Sequence, residues 1–232
     1  MFHRLLLLSI IGFVTAMSTK DKCDLKKVDR CAQILYIYGN PDYKVSNNIN
    51  EAHRFCNSTK EAEMCIRTYN NACVKPFSRQ YINLLLAGPT QQLKKRCNHS
   101  GIKKYLEHRV CVNATKSAID LCNNGAIADT MRILMARKED WIQLSCCFLS
   151  KSTQCSTKAI DSEELCDERS KEYMREAIRG FSGEVFDLFC GNDLHWESNN
   201  CQKVTKNLPQ IESKTKKPLS VFPVVLEMME RF

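Results

Sequence analysis

The sequence is poor in the residues that turn a chain: 8 glycines and 6 prolines in 232 residues. A disulfide-rich β scaffold needs such residues at its corners, so the shortage favours helical hairpins, and no segment shows a persuasive strand pattern. Histidine is scarce too. Past Ala16 only His53, His99, His108 and His195 can titrate near neutral pH, and none lies in a recognised catalytic motif. No two cysteines are separated by two to four residues, the spacing of a structural zinc pair, so neither a metal nor any other cofactor is expected.

No apolar run is long enough to span a bilayer. Leu5 to Val14, behind Arg4, instead has the size of a signal-peptide core. Cleavage frames are open after Ala16 and after Ser18, and the first is preferred, so residues 1–16 are expected to be an export signal. Losing them removes Arg4 and no acid, which leaves 33 basic against 26 acidic residues, a formal charge of +7 over 216 residues.

What the chain does have is cysteine. Behind an export signal, an even set of 14 reads as up to seven disulfides: Cys23, Cys31, Cys56, Cys65, Cys73, Cys97, Cys111, Cys122, Cys146, Cys147, Cys155, Cys166, Cys190 and Cys201. Their spacing repeats. Cys31 to Cys56 spans 25 residues, while Cys73 to Cys97, Cys122 to Cys146 and Cys166 to Cys190 span 24 each. Each pair follows another cysteine 8 or 11 residues upstream, so four triplets emerge; Cys147 is extra and Cys201 stands where a fifth triplet would open. Spacing does not dictate connectivity. A helical hairpin would nevertheless bring the members of a 24-residue pair together if they sat near its open ends.

Side chains support the repeat. Ser78-Arg79-Gln80-Tyr81-Ile82-Asn83-Leu84-Leu85-Leu86-Ala87-Gly88 lies over Ser170-Lys171-Glu172-Tyr173-Met174-Arg175-Glu176-Ala177-Ile178-Arg179-Gly180. Both segments offer a serine to cap a helix, an apolar face (Tyr81, Ile82, Leu85, Leu86; Tyr173, Met174, Ala177, Ile178) and a glycine where a helix would stop. Elsewhere Leu25, Val28, Ala32 and Leu35 share a helical face before Gly39-Asn40-Pro41, and Ser58-x-x-Glu61 offers a capping box ahead of Met64, Ile66 and Tyr69. An extended reading of Ile34 to Tyr38 stays open. The expectation is an all-α fold of disulfide-stapled helical hairpins in two tandem six-cysteine modules, residues 17–110 and 111–201, followed by a linker and short amphipathic tail over 202–232.

The segment Cys73 to Gln80, the run Leu84 to Gly88, Tyr105 to His108 before Cys111, the Cys146-Cys147 doublet with Cys155 eight residues on, and Phe186 to Gly191 together resemble a family of uncharacterised secreted cysteine-rich proteins of arthropods. The likeness spans Cys65 to Cys201, and the doublet with its flanking spacing is its most specific part. It implies an extracellular protein without an established biochemical activity; a remoter likeness to haemolymph glycoproteins is compositional.

The doublet invites comparison with secreted calcium-dependent phospholipases, whose Cys-Cys-x-x-His pattern supplies a histidine to activate water. Here Ser150 stands in the histidine's place, the next cysteine is out of register and no Gly-rich calcium loop occurs, so the mechanism lacks its base. The expectation is that the chain is not an enzyme and that the two cysteines serve different disulfides.

The remaining signals concern binding. Lys94, Lys95, Arg96, Lys103, Lys104 and Arg109 face only Glu107, and such a cluster on a secreted protein suits an acidic glycan or an anionic membrane surface, or is simply a solvated helix face. Sequons at Asn57, Asn98 and Asn113 agree with export; glycans on the last two would bracket the basic cluster, which with the export route argues against nucleic acid. The tail from Pro218 to Phe232 carries Glu227, Glu230 and Arg231, unlike a lipid-anchor signal, and reads as a segment that docks on the modules or on a partner. The expected function is a non-enzymatic extracellular role, binding or structural, in body fluid, cuticle or secretion, with an unidentified partner. The alternatives are an enzyme of unfamiliar type or a carrier of apolar small molecules, its cavity lined by residues such as Leu84, Leu85, Ile178 and Phe186.

Overall fold

The computed structural model describes residues 23–36, 40, 42–191, 194–212 and 214–231, with the side chains of 182–189 outside that description. The expected export signal therefore lies outside the described residues, as do Gly39 and Pro41 of the expected break and the Phe186 side chain. Among the described residues there are nine α-helices, one 3-10 turn (Lys138–Asp140) and no strand: α1 (Leu25–Leu35), α2 (Ile49–Cys73), α3 (Pro76–Cys97), α4 (His99–Glu107), α5 (Arg109–Ile133), α6 (Trp141–Asp161), α7 (Glu168–Phe189), α8 (Asn199–Thr205) and α9 (Phe222–Arg231). The all-α, disulfide-stapled class read from the sequence is the class observed.

Helix α1 starts at Asp24, whose carboxylate accepts from the Lys26 and Lys27 amides at 2.9 and 3.3 Å. Val28, Ala32 and Leu35 are buried along the expected face, but Leu25 is 43% exposed and does not belong to it. Ile34 and Leu35 are helical, which settles those two positions of the Ile34–Tyr38 run against an extended strand.

Helix α2 begins ten residues before the expected capping box. Asn48 Oδ1 accepts from the Glu51 amide at 3.0 Å, while the Glu51 carboxylate accepts from the Asn47 amide at 2.8 Å. That backbone bond is also the main reason the Glu51 carboxyl titrates below its ordinary range. Ser58 lies mid-helix and donates to the Phe55 carbonyl at 2.8 Å, and Met64 faces solvent while Ile66 is buried. Both Asn48-x-x-Glu51 and Ser58-x-x-Glu61 fit a start signal.

All fourteen cysteines are paired. Cys23–Cys73, Cys31–Cys65 and Cys56–Cys97 join the first six, first to fifth, second to fourth and third to sixth. With Cys147 left out of the count, Cys111–Cys166, Cys122–Cys155 and Cys146–Cys190 join the next six in the same order. In each set the inner bridge staples a helical hairpin, α1 to α2 or α5 to α6, and the third ties that hairpin to α3 or to the end of α7. The 24-residue pairs are therefore not bridged to one another: Cys73, Cys122 and Cys166 each reach a different helix or loop. Nor does Cys201 open a further triplet. It pairs with Cys147 and clips α8 to α6, so the vicinal cysteines do serve two different bridges.

Helices α3 and α7 are both 22 residues long and carry the matched segments in the same register, each with its serine at the third position. Ile82 and Leu86 are buried on α3, and their counterparts Met174 and Ile178 on α7, as the shared apolar face predicts. The serines do not cap. Ser78 donates to the Met229 carbonyl at 3.0 Å, and Ser170 Oγ lies 2.9 Å from His108 Nδ1, while the Asp167 carboxylate accepts from the Ser170 amide at 2.8 Å. The glycines do not stop the helices either: both continue nine residues beyond, to Cys97 and Phe189. Gly88 and Gly180 are instead where α3 and α7 meet. A Cβ on Gly88 would stand 2.8 Å from the Phe181 carbonyl oxygen, where only hydrogen fits, and one on Gly180 would stand 1.7 Å from Nε2 of the Gln92 side chain, which can turn away.

Pro89 follows Gly88 inside α3 and has no amide to bond the Leu85 carbonyl one turn back. The Tyr36 hydroxyl, 3.4 Å from that oxygen, donates in its place.

Three apolar clusters fill the interior. One lies among α1, α2 and α3 around Leu35, Ile66 and Ile82; one around Tyr105, Ile119, Ile160 and Met174; one around Ile133, Trp141 and Leu144. The C-terminal tail docks back on the chain, as its apolar positions suggested. Phe222 and Leu226 enter the first cluster and Met228 the third. Buried Asp29 fixes its approach by accepting from the Leu219 and Ser220 amides at 2.8 and 2.9 Å and from Ser220 Oγ at 2.7 Å.

Candidate functional site

The basic cluster divides in two when folded. Lys94 and Lys95 end α3, Asn98 caps α4 by accepting from the Gly101 amide at 2.7 Å, and Lys103 and Lys104 follow on α4. Gly101 allows the tight reversal between them, since a Cβ there would stand 1.9 Å from the Lys95 carbonyl oxygen. These four lysines and Arg109 are exposed, and none forms an ion pair among the described residues. Glu107, the one acid among them, is paired with Arg169 of α7 at 3.3 Å. By contrast Arg175 and Arg179 on the neighbouring α7 lie on carboxylates of Asp161, Glu168 and Glu172.

Arg96 departs from the cluster and points inward. Its guanidinium carbon stands 3.7 Å from the Tyr105 ring centre and 4.2 Å from that of Phe55, and it donates to the Tyr43 hydroxyl at 2.7 Å. Tyr43 Oη lies 3.3 Å from Tyr105 Oη, which also accepts from the Ser46 amide at 3.1 Å. Burial pushes the Tyr105 hydroxyl well above the usual phenol range. Arg96 thus holds the 43–46 segment against α4 and is not a surface charge.

Two pockets adjoin this framework. One of about 590 Å³ lies between Asn40 with residues 42–47 and α2, and its Asp42, Lys44, Glu51 and Arg54 balance in charge. The other, about 490 Å³, opens where both cysteine sets contribute, between the ends of α3 and α4 and the middle of α7. Leu93, Val112 and Met174 back it with buried apolar side chains, Tyr105 and Tyr173 add rings, and Lys95, Arg96, Lys104 and Arg179 line it against one acid, Glu176. Leu84, Leu85 and Ile178, expected to line a carrier cavity, line neither pocket; Leu85 and Ile178 pack into the first two apolar clusters.

Of the four histidines past Ala16, His53, His99 and His195 are exposed. His108 is 3% exposed, stacked on Tyr173 with ring centres 4.5 Å apart, and its Nε2 has no hydrogen-bond partner among the described residues. Burial and then the nearby Arg169 hold its titration below the ordinary imidazole value. Ser150, where a phospholipase has its histidine, accepts from the Trp196 amide at 3.0 Å. No group of three or more His, Cys, Asp or Glu side chains able to hold a metal occurs among the described residues, and none of their helices is long and apolar enough to cross a membrane.

The sequon asparagines Asn57, Asn98 and Asn113 are all exposed, on α2, before α4 and on α5. The hydroxyls of Thr59 and Thr115 turn inward to the carbonyls of Cys56 and Cys111. No family model matches the chain, and neither a curated protein nor a solved structure is similar to it. The sequence reading missed Tyr43, Gln92, Tyr173 and Arg179 as neighbours of the basic cluster. Three come from outside its stretch of chain, and no spacing signal connects them.

Proposed function

We propose that the chain is a secreted, non-enzymatic extracellular protein that binds acidic glycans through the exposed basic residues of α3, α4 and the start of α5. Lys94, Lys95, Lys103, Lys104 and Arg109 carry this reading: five cations on neighbouring elements with no ion pair among the described residues. A sulfated polysaccharide answers such a face because multivalent attraction between exposed charges adds up while each single pair contributes little. The apolar run behind Arg4, seven disulfides and three exposed sequon asparagines support export and glycosylation, and membership of the arthropod group of secreted cysteine-rich proteins belongs to the same proposal.

The test is retention on immobilised heparin. The protein should be held at physiological salt and elute as salt screens the contacts; Lys94→Gln with Lys103→Gln and Arg109→Gln should elute earlier. Passage of the unaltered protein without retention would refute the proposal.

A further inference from the structure

Lys95 and Lys104 belong to the basic face, but they also stand at the pocket between α3, α4 and α7, whose walls are unlike anything a glycan needs. Leu93, Val112 and Met174, 6%, 5% and 1% exposed, form the buried apolar backing of the pocket, and the half-buried Tyr173, Ala177 and Phe181 are the apolar side chains of its lining that keep accessible surface. Tyr173 is backed by His108 and has the Lys104 ammonium 5.5 Å from its ring centre. Burial raises its hydroxyl pKa, so the ring is neutral at physiological pH. Arg179 is engaged by Glu172 at 2.6 Å and Arg96 is turned onto Tyr43 at 2.7 Å, which leaves the two lysines as the exposed cations of the lining with no ion pair among the described residues. The volume of about 490 Å³ is that of a small-molecule site.

We infer that this pocket binds a small amphiphilic organic anion, its apolar body against Tyr173, Ala177 and Phe181 and its acidic head on Lys95 and Lys104. The charge set decides against a cation, and the apolar walls decide against a free inorganic anion or a sugar sulfate, whose hydroxyls would give up water against these walls without gaining hydrogen-bond partners. The inference goes beyond the glycan proposal and does not depend on it, since Lys94, Lys103 and Arg109 lie outside the pocket lining.

Two probes with one ring system separate the contributions: anilinonaphthalene sulfonate, which carries the anion, and N-phenylnaphthylamine, which does not. Titrated into the native, disulfide-intact protein, the sulfonate should bind one saturable site more tightly than the amine. Lys95→Gln with Lys104→Gln should weaken the sulfonate about tenfold and leave the amine unchanged. Ala177→Trp, which fills the pocket, should abolish binding of both while heparin retention persists, whereas Lys94→Gln with Lys103→Gln and Arg109→Gln should lower heparin retention and leave the sulfonate in place. Equal affinity for the two probes overturns the inference, and so does sulfonate binding that survives Ala177→Trp in a protein of unchanged helicity. Should the tryptophan variant fail to fold, the paired lysine variant decides, because both lysines are exposed and their loss does not disturb the core.

Discussion

The Gly88 backbone packs so closely on the Phe181 carbonyl that a β-carbon at position 88 would stand 2.8 Å from its oxygen. The matched residue Gly180 lies in the same crossing but against the far end of the Gln92 side chain. Equivalent glycines thus face a rigid neighbour and a movable one. Gly88→Ala must push two helices apart and should lower stability by about 1–3 kcal/mol, despite the better helix propensity of alanine. Gly180→Ala needs only a new Gln92 rotamer and should be neutral or raise the unfolding midpoint. Urea denaturation of the two variants checks this, and equal losses would contradict the crossing geometry.

Tyr36→Phe removes the hydroxyl that serves the Leu85 carbonyl beside Pro89. The apolar packing of the ring is kept, so the change reports the hydrogen bond alone. A loss of about 1 kcal/mol is expected, with faster amide exchange in the middle of α3. The same substitution in a Pro89→Ala background should cost less, since alanine's amide bonds that carbonyl itself.

His108 gives the fold a pH dependence of known sign. Its folded titration lies below the free value of about 6.5, held down by burial first and then by Arg169 and Lys104, against the opposing pull of Glu107 and Asp167. The unfolded chain therefore binds its proton first as pH falls. The stability contribution is full above the free value and is lost as pH falls through that value towards the folded one. Unfolding midpoints between about pH 5 and pH 8 should slope downward on the acid side, and His108→Gln should flatten that slope.

The seventh bridge lies outside the repeated pattern. Cys147→Ser with Cys201→Ser should leave six bridges intact and cost about 2–5 kcal/mol, with lost exchange protection concentrated in α8. Mass mapping of the unreduced variant verifies the remaining pairs, and alkylation of the unaltered protein should label none.

The repeat, the helical class and the shared face of α3 and α7 were legible along the chain, because cysteine order and a helical apolar period are linear properties. Val28, Ala32 and Leu35 show this, as do Ile82 with Met174 and Leu86 with Ile178. The role of a glycine is not linear in that way. The signal that ends a helix at a left-handed residue is also the signal of a close approach between helices, and nothing near Gly88 distinguishes the two. The start of α2 fell to the same ambiguity between Asn48 and Ser58.

By itself, then, the sequence determined that this chain would be helical, twice repeated and fully oxidisable, since helix period, capping chemistry and an even cysteine set act over short distances. Tertiary structure alone decided which cysteines meet, that Arg96 turns inward to Tyr43, Phe55 and Tyr105, and that Lys95 and Lys104 overlook an apolar pocket walled in part by α7. Those outcomes depend on how helices far apart in the chain cross, and the crossing is set by packing that no local pattern encodes.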